Sequence, residues 1–230
     1  MIKNTKLETA INSWYDEESL TSTEFRRLYT KIRHLHPGKD VQKLLVTSAT
    51  LGEGKSTISS LLAITMSNYR DNNTLLIDCD LRRPSIHKKF GLPNDEGFID
   101  VITGKRELRH VLKSTFIPKL KILTSGVVQQ SPAEIFNSPN LRDFFEEIKF
   151  YFDTIVVDCS PAMPVSDPLI LSSEVDGALL VVRAGKTPRE LVKRTADLLR
   201  DAGIPIFGIV VNDAEDVLPY YYSYKYKYYQ

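Results

Sequence analysis

An apolar run, Lys43-Leu-Leu-Val-Thr47, leads into Ala49-Thr-Leu-Gly-Glu-Gly-Lys-Ser-Thr57, a glycine-rich loop that opens a helical pattern. Gly52, Glu53 and Gly54 lie where backbone N–H groups would close around phosphates, with Thr57 on the first helical turn. The helix N-terminus adds the positive end of its dipole, Lys55 can bridge the β- and γ-phosphates, and Ser56 can ligate magnesium. Ala49 stands at the first glycine position of the G-x-x-x-x-G-K-[ST] pattern, so the assignment leans on the strand before the loop and the helix after it. Two acidic motifs accompany the loop. In Leu75-Leu-Ile-Asp78-Cys-Asp80-Leu-Arg82-Arg83 two carboxylates fall at i and i+2 where a strand breaks into a loop. Beside a triphosphate such acids repel it unless they hold a cation or accept a proton, so magnesium coordination and general-base work are the natural roles. The alternative is that they cap backbone amides or pair with Arg82 and Arg83. In Ile155-Val-Val-Asp158-Cys-Ser-Pro161 an apolar strand ends in an acid, the Walker-B arrangement for magnesium. Asp167, in Val165-Ser-Asp-Pro168, is expected to cap a helix.

The far end of the chain offers a complementary chemistry. Seven of the last eleven residues are tyrosine: Tyr220, Tyr221, Tyr222, Tyr224, Tyr226, Tyr228 and Tyr229. Lys225, Lys227 and Pro219 interrupt the run, which reads as a solvated end able to reach an active site. A phosphate-binding loop and a row of phenolic hydroxyls in one chain suggest transfer of phosphate to tyrosine.

Six candidate strands position these groups: 43–47, 74–78, 120–124, 154–158, 177–182 and 206–211. They alternate with helical patterns near 55–70, 131–150, 166–173 and 188–202, which describes an α/β domain with a mainly parallel sheet covered on both faces. Ligands of such sheets gather at the carboxyl ends of the strands, where 48–57, 78–84 and 158–168 fall. Ahead of this domain, Phe25, Leu28, Ile32 and Leu35 recur at helical spacing until Pro37-Gly38. This amphipathic helix could pack on its own domain or on another subunit. Residues 91–119 are the least regular and are expected to hold short helices and loops. The organisation read from the chain is a flexible segment at 1–20, the helix at 21–36, the P-loop domain at 40–213 and the tyrosine-rich tail at 214–230.

At 230 residues the chain can bury a core without disulfides. A net charge of +1 gives no reason to expect a nucleic-acid partner. Cys79 and Cys159 each follow an aspartate at the end of an apolar run, a buried strand-end setting that fits a reducing, cytoplasmic compartment. No stretch approaches the roughly 18 apolar residues of a membrane span, and the N-terminus has no signal-like apolar region.

Over residues 20–230 the P-loop, the Asp78-x-Asp80-x-Arg82 segment, the Walker-B strand, Val211-Asn212 and the tyrosine-rich end together resemble bacterial protein-tyrosine kinases of the CpsD/CapB type. The resemblance implies a MinD/ParA-like three-layer α/β/α fold and an ATP- and magnesium-dependent enzyme that phosphorylates its own tail tyrosines, usually on a neighbouring subunit. It implies that Lys55, Ser56 and Thr57 bind phosphates and metal, that Asp78 is the base toward the tyrosine hydroxyl, and that Asp80 and Asp158 organise magnesium together with Ser56. Asn212 aligns with an adenine-contacting asparagine. Further implied are a transmembrane polysaccharide co-polymerase adaptor that activates the kinase and holds it at the inner face of the membrane, homo-oligomers, a protein-tyrosine phosphatase partner, and a role in capsule or exopolysaccharide synthesis. Two departures stand out. In the family's Glu-x-x-Arg-x-x-Arg helix pattern, which supports ring assembly, Glu24 sits one place late and Tyr29 replaces the last arginine. Asp158-Cys-Ser-Pro161 replaces the usual Asp-x-Pro-Pro. The rival readings are a MinD/ParA-like ATPase, which would need a further lysine early in the P-loop that positions 48–53 lack, and a non-catalytic nucleotide-sensing regulator.

Overall fold

The computed structural model describes residues 18–35, 41–69 and 72–214; the predicted N-terminal segment before residue 18 and all seven tail tyrosines lie outside the described residues. Seven strands form one sheet: β1 (Lys43–Ser48), β2 (Thr74–Cys79), β3 (Lys113–Ser114), β4 (Leu120–Leu123), β5 (Thr154–Cys159), β6 (Gly177–Arg183) and β7 (Ile206–Asn212). Their spatial order is β3-β4-β2-β5-β1-β6-β7, and every pairing is parallel except β3 with β4. All six predicted strands are present. The seventh, β3, is an antiparallel edge piece of two residues, too short to carry a periodic signal.

The continuous apolar runs are explained by burial on both faces. Along β1, Leu44 and Val46 point to one side and Leu45 to the other; along β5, Val156 opposes Ile155 and Val157. One face is covered by α1 (Leu20–Leu35) and α2 (Lys55–Ser67), through Phe25, Ile32, Ile58 and Leu62. The same face carries α3 (Ile86–Phe90), whose Ile86 is buried with them, whereas the other is covered by a layer made by α4 (Phe98–Ile102), α5 (Leu108–Val111), α6 (Pro132–Phe136) and α7 (Asn140–Ile148). There Phe98 meets Phe144 edge-on at 5.4 Å, within the range that aromatic pairs prefer. Among the described residues α8 (Asp167–Ile170), a 3-10 turn at Leu171–Glu174 and α9 (Arg189–Asp201) are the remaining helices. The single helix expected over 131–150 is two helices, because Pro139 lacks the N–H that a continuing helix requires and its ring would clash with the preceding turn.

The helix at the start packs on its own domain. Tyr29, at the place of the absent arginine, is buried and meets Tyr69 edge-on at 5.2 Å, with the Arg33 guanidinium over both rings. An arginine there would have to be stripped of water; tyrosine instead glues α1 to α2. Cys79 and Cys159 are buried and unbridged, and burial holds both thiols well above their usual range. No helix among the described residues is long and apolar enough to cross a membrane.

Candidate active site

Sheet order explains why three distant motifs meet. β5 lies between β2 and β1, so the carboxyl ends carrying Asp78, Asp158 and the P-loop are neighbours, and Asp78 stands directly beside Asp158 in register. Both carboxylates are fully buried. Burial, followed by the charge of Asp158, pushes the Asp78 carboxyl far above the usual carboxylate range despite amide hydrogen bonds that pull it down. Asp158 is raised by burial too, and the Lys55 ammonium and nearby serine hydroxyls oppose that rise.

The P-loop is held from below and behind. Gly54 ends the loop at φ 92, a left-handed conformation, and the added Cβ of any other residue would lie 2.2 Å from Asn212 Nδ2. Asn212, at the end of β7, donates its amide to the Glu53 carbonyl at 3.0 Å. The Glu53 side chain turns inward: Oε2 accepts from the Thr50 N–H at 2.9 Å, and Oε1 accepts from the Thr187 hydroxyl. Thr187 also accepts the Arg183 N–H at 2.9 Å. Of the residues expected to touch nucleotide, Glu53 thus uses its side chain to tie the loop to the residues just past β6. Asn212 is a buttress of the same loop.

Lys55 is buried, with its ammonium 2.7 Å from Asp80 Oδ2. Burial works against its charge, but Asp158 and Asp80 outweigh it and hold the amine above the ordinary lysine range. Asp80 Oδ1 accepts from the Ser160 hydroxyl at 2.9 Å and from the Arg83 N–H at 3.1 Å. Ser160 is the residue that departs from the Asp-x-Pro-Pro pattern, and it supplies a donor to Asp80 that proline could not. Asp78 Oδ2 accepts the N–H groups of Ser85 and Ile86, each at 3.0 Å, so the amide-capping alternative is realised at the same residue that stands in the acid cluster. Ser59 donates to Asp158 Oδ1 at 3.0 Å, whereas the buried Asp158 Oδ2 has no hydrogen-bond partner among the described residues.

That oxygen bears on magnesium. A buried carboxylate oxygen without a donor is costly unless a cation or proton meets it. Ser56, which lies close enough to Asp158 to favour its ionised form, with Asp80 and Asp158 makes an all-oxygen set of the kind magnesium accepts. Among the described residues there is no group of three or more His, Cys, Asp or Glu that could hold a metal.

Asp167 corrects an expectation. Ser166, not Asp167, occupies the N-cap position of α8, and the Asp167 side chain makes no capping bond. Its carboxylate is instead gripped by Arg82, Nε to Oδ2 at 2.8 Å and Nη2 to Oδ1 at 3.1 Å. The two residues are 85 positions apart, and no local pattern announces the pair. Arg82→Ala leaves a fully buried acid without its cation and is expected to cost about 2–3 kcal/mol. Thermal unfolding should show it as a midpoint roughly 5–10 °C lower; an unchanged midpoint would mean that Asp167 finds another partner.

Comparison with known proteins places this geometry. A family model described as ParA, NUBPL iron-transfer P-loop NTPase, matches residues 40–224. The putative tyrosine-protein kinase CapB of Staphylococcus aureus is 32% identical over 212 residues, covering 90% of this chain and 92% of that protein. Tyrosine-protein kinase YwqD of Bacillus subtilis is 29% identical over 210 residues, 91% of this chain and 88% of the relative. Among solved structures, that of the chimerical protein CapA2B2 superposes with a TM-score of 0.84 at 27% identity, over 88% of this chain and 89% of the other.

Proposed function

The chain belongs to the ParA-type P-loop NTPases and, within them, to the bacterial tyrosine-protein kinases of the CpsD/CapB type, and from that membership we propose that it transfers the γ-phosphate of ATP to tyrosines of its own tail. The observation that carries this reading is the convergence of Lys55, Asp78, Asp80 and Asp158 on one sheet edge beside the P-loop, with two of the acids buried in adjacent register positions.

In this reading the loop's N–H groups and Lys55 hold the phosphates, with Ser56 and Thr57 on the first turn of α2. Ser56, Asp80 and Asp158 would hold magnesium, which when bound neutralises charge on the phosphates. Asp78 receives the phenolic proton as the new O–P bond forms and the bond from γ-phosphorus to the β–γ bridging oxygen breaks, leaving ADP. A tyrosine hydroxyl has an ordinary pKa near 10, so a carboxylate with raised basicity is a better acceptor than an exposed one. The burial that lifts Asp78 therefore suits it to that task.

The wider setting follows from the same membership. The kinase would act in capsular or extracellular polysaccharide synthesis, held at the inner face of the membrane by a transmembrane co-polymerase adaptor that activates it. Tail phosphorylation would pass between copies of the chain, and a protein-tyrosine phosphatase would reverse it.

The test is to incubate the purified full chain with ATP and magnesium, with and without a cytosolic adaptor peptide, and to map phosphate by intact and tandem mass spectrometry. Several phosphates on Tyr220–Tyr229 are expected, and changing the seven tyrosines to Phe should remove most of them without affecting ATP binding. ATP turnover to ADP with an unmodified tail would instead assign the protein to the MinD-like ATPases.

A further inference from the structure

We propose that Lys89 is a second phosphate-binding cation of this site, its Nζ contacting an oxygen of the nucleotide's phosphate chain alongside Lys55. The inference rests on the reading of the P-loop as a nucleotide site and adds a ligand from outside the loop.

The placement begins with Asp78. Its Oδ2 accepts from the N–H groups of Ser85 and Ile86 and so fixes the start of α3. Lys89 falls at the end of the first turn, its own N–H bonded to the Ser85 carbonyl at 3.2 Å. From there its four-carbon stem lies back across the P-loop helix, and Nζ donates to Thr57 Oγ1 at 2.9 Å. Thr57 is two residues past Lys55, and its N–H bonds to the carbonyl of Gly54, so it belongs to the turn that closes the phosphate cradle. Lys89 is half-buried, and its charge is influenced by both Asp158 and Lys55. A lysine on a five-residue helix could satisfy its charge in water at no cost. This one is drawn over the loop, where burial pulls its basicity below the ordinary range.

A phosphate chain in the loop presents anionic oxygens next to Thr57, within reach of the ammonium already hydrogen-bonded there, and a charged oxygen gives an ammonium a short, strong hydrogen bond. The geometry also gives Asp78 a structural consequence: the acid proposed as base anchors the helix that delivers the second cation.

Binding of ADP with magnesium, followed by titration calorimetry on the full chain, tests the assignment. A hydrogen bond to a charged phosphate oxygen corresponds to roughly tenfold or more in affinity, so Lys89→Met is expected to weaken ADP binding by about that factor. Lys89→Arg should stay within roughly threefold of the wild type, because the positive charge is kept. Lys89→Gln keeps a donor for Thr57 without charge, and it should bind as weakly as Lys89→Met while the ligand-free protein unfolds at the wild-type temperature. Wild-type binding by Lys89→Gln, with only Lys89→Met weakened and less stable, would reduce Lys89 to a strut for Thr57 and overturn the proposal. Wild-type binding by all three variants would overturn it as well. If the wild type itself does not bind ADP, the P-loop reading fails first and Lys89 falls with it, an outcome distinct from loss of Lys89's role alone.

Discussion

Lys55→Met is expected to abolish tail phosphorylation, lowering its rate by at least about a thousandfold, the scale set by removing a cation that stabilises a transferring phosphoryl group. Lys55 stands on the first turn of α2, buried, with its ammonium 2.7 Å from Asp80 and in the field of Asp158. Methionine matches the stem in length and apolar character, so the packing that buries it survives. The acids then lose their counter-charge. Burial already biases Asp158 toward its protonated form, so proton uptake relieves part of the cost and the fold should remain cooperative. The measurement is the initial rate of phosphate incorporation by intact-mass spectrometry, with circular dichroism melting alongside. A variant that labels its tail within tenfold of the wild-type rate would remove Lys55 from the chemistry.

Asp78→Asn should slow phosphate transfer by about 10²–10⁴, the usual contribution of a general base, while nucleotide binding and the melting temperature stay near the wild type. The choice of asparagine comes from the structure. Asp78 Oδ2 caps two backbone N–H groups at the start of α3, and an amide oxygen can still accept both. Alanine would remove the caps and the base together, so loss of activity in Asp78→Ala would confound the two. Asparagine cannot take the phenolic proton. Its effect should fall on the rate at saturating ATP, with the ADP dissociation constant unchanged. Equal losses in ADP affinity and in rate would point to a binding role for Asp78, and a wild-type rate would assign the proton to another acceptor.

Ser160 illustrates how a departure in sequence acquires meaning from packing. As a string, Asp158-Cys-Ser-Pro161 is a deviation from Asp-x-Pro-Pro with no visible consequence. In the fold the Ser160 hydroxyl is buried against Asp80 Oδ1 and offsets part of the desolvation of an acid that Lys55 also faces. Tyr29 is the parallel case on α1. An arginine position of the family pattern is filled by an aromatic residue that turns inward against Tyr69, so the helix that could have served a neighbouring subunit is bound to its own domain along that face.

What the sequence determined by itself is the part of this protein governed by short-range order. Apolar runs bounded by turn residues marked six parallel strands, and a glycine-rich turn followed by Lys55-Ser56 marked the phosphate loop, because strand burial and loop geometry each act within about ten residues. Asp78, Asp80 and Asp158 were legible for the same reason, as acids at strand ends. What only the tertiary structure decided depends on strand order. Placing β5 between β2 and β1 sets Asp78 beside Asp158 and raises both, and no local signal encodes that adjacency. The Arg82–Asp167 pair, the Glu53–Thr187 tie and the Lys89–Thr57 contact span 85, 134 and 32 positions respectively. Each joins side chains whose partners the chain order conceals. Local propensity can put an acid or a lysine at the end of an element; only packing of the elements determines which charge it faces, and therefore whether it caps, buttresses or does chemistry.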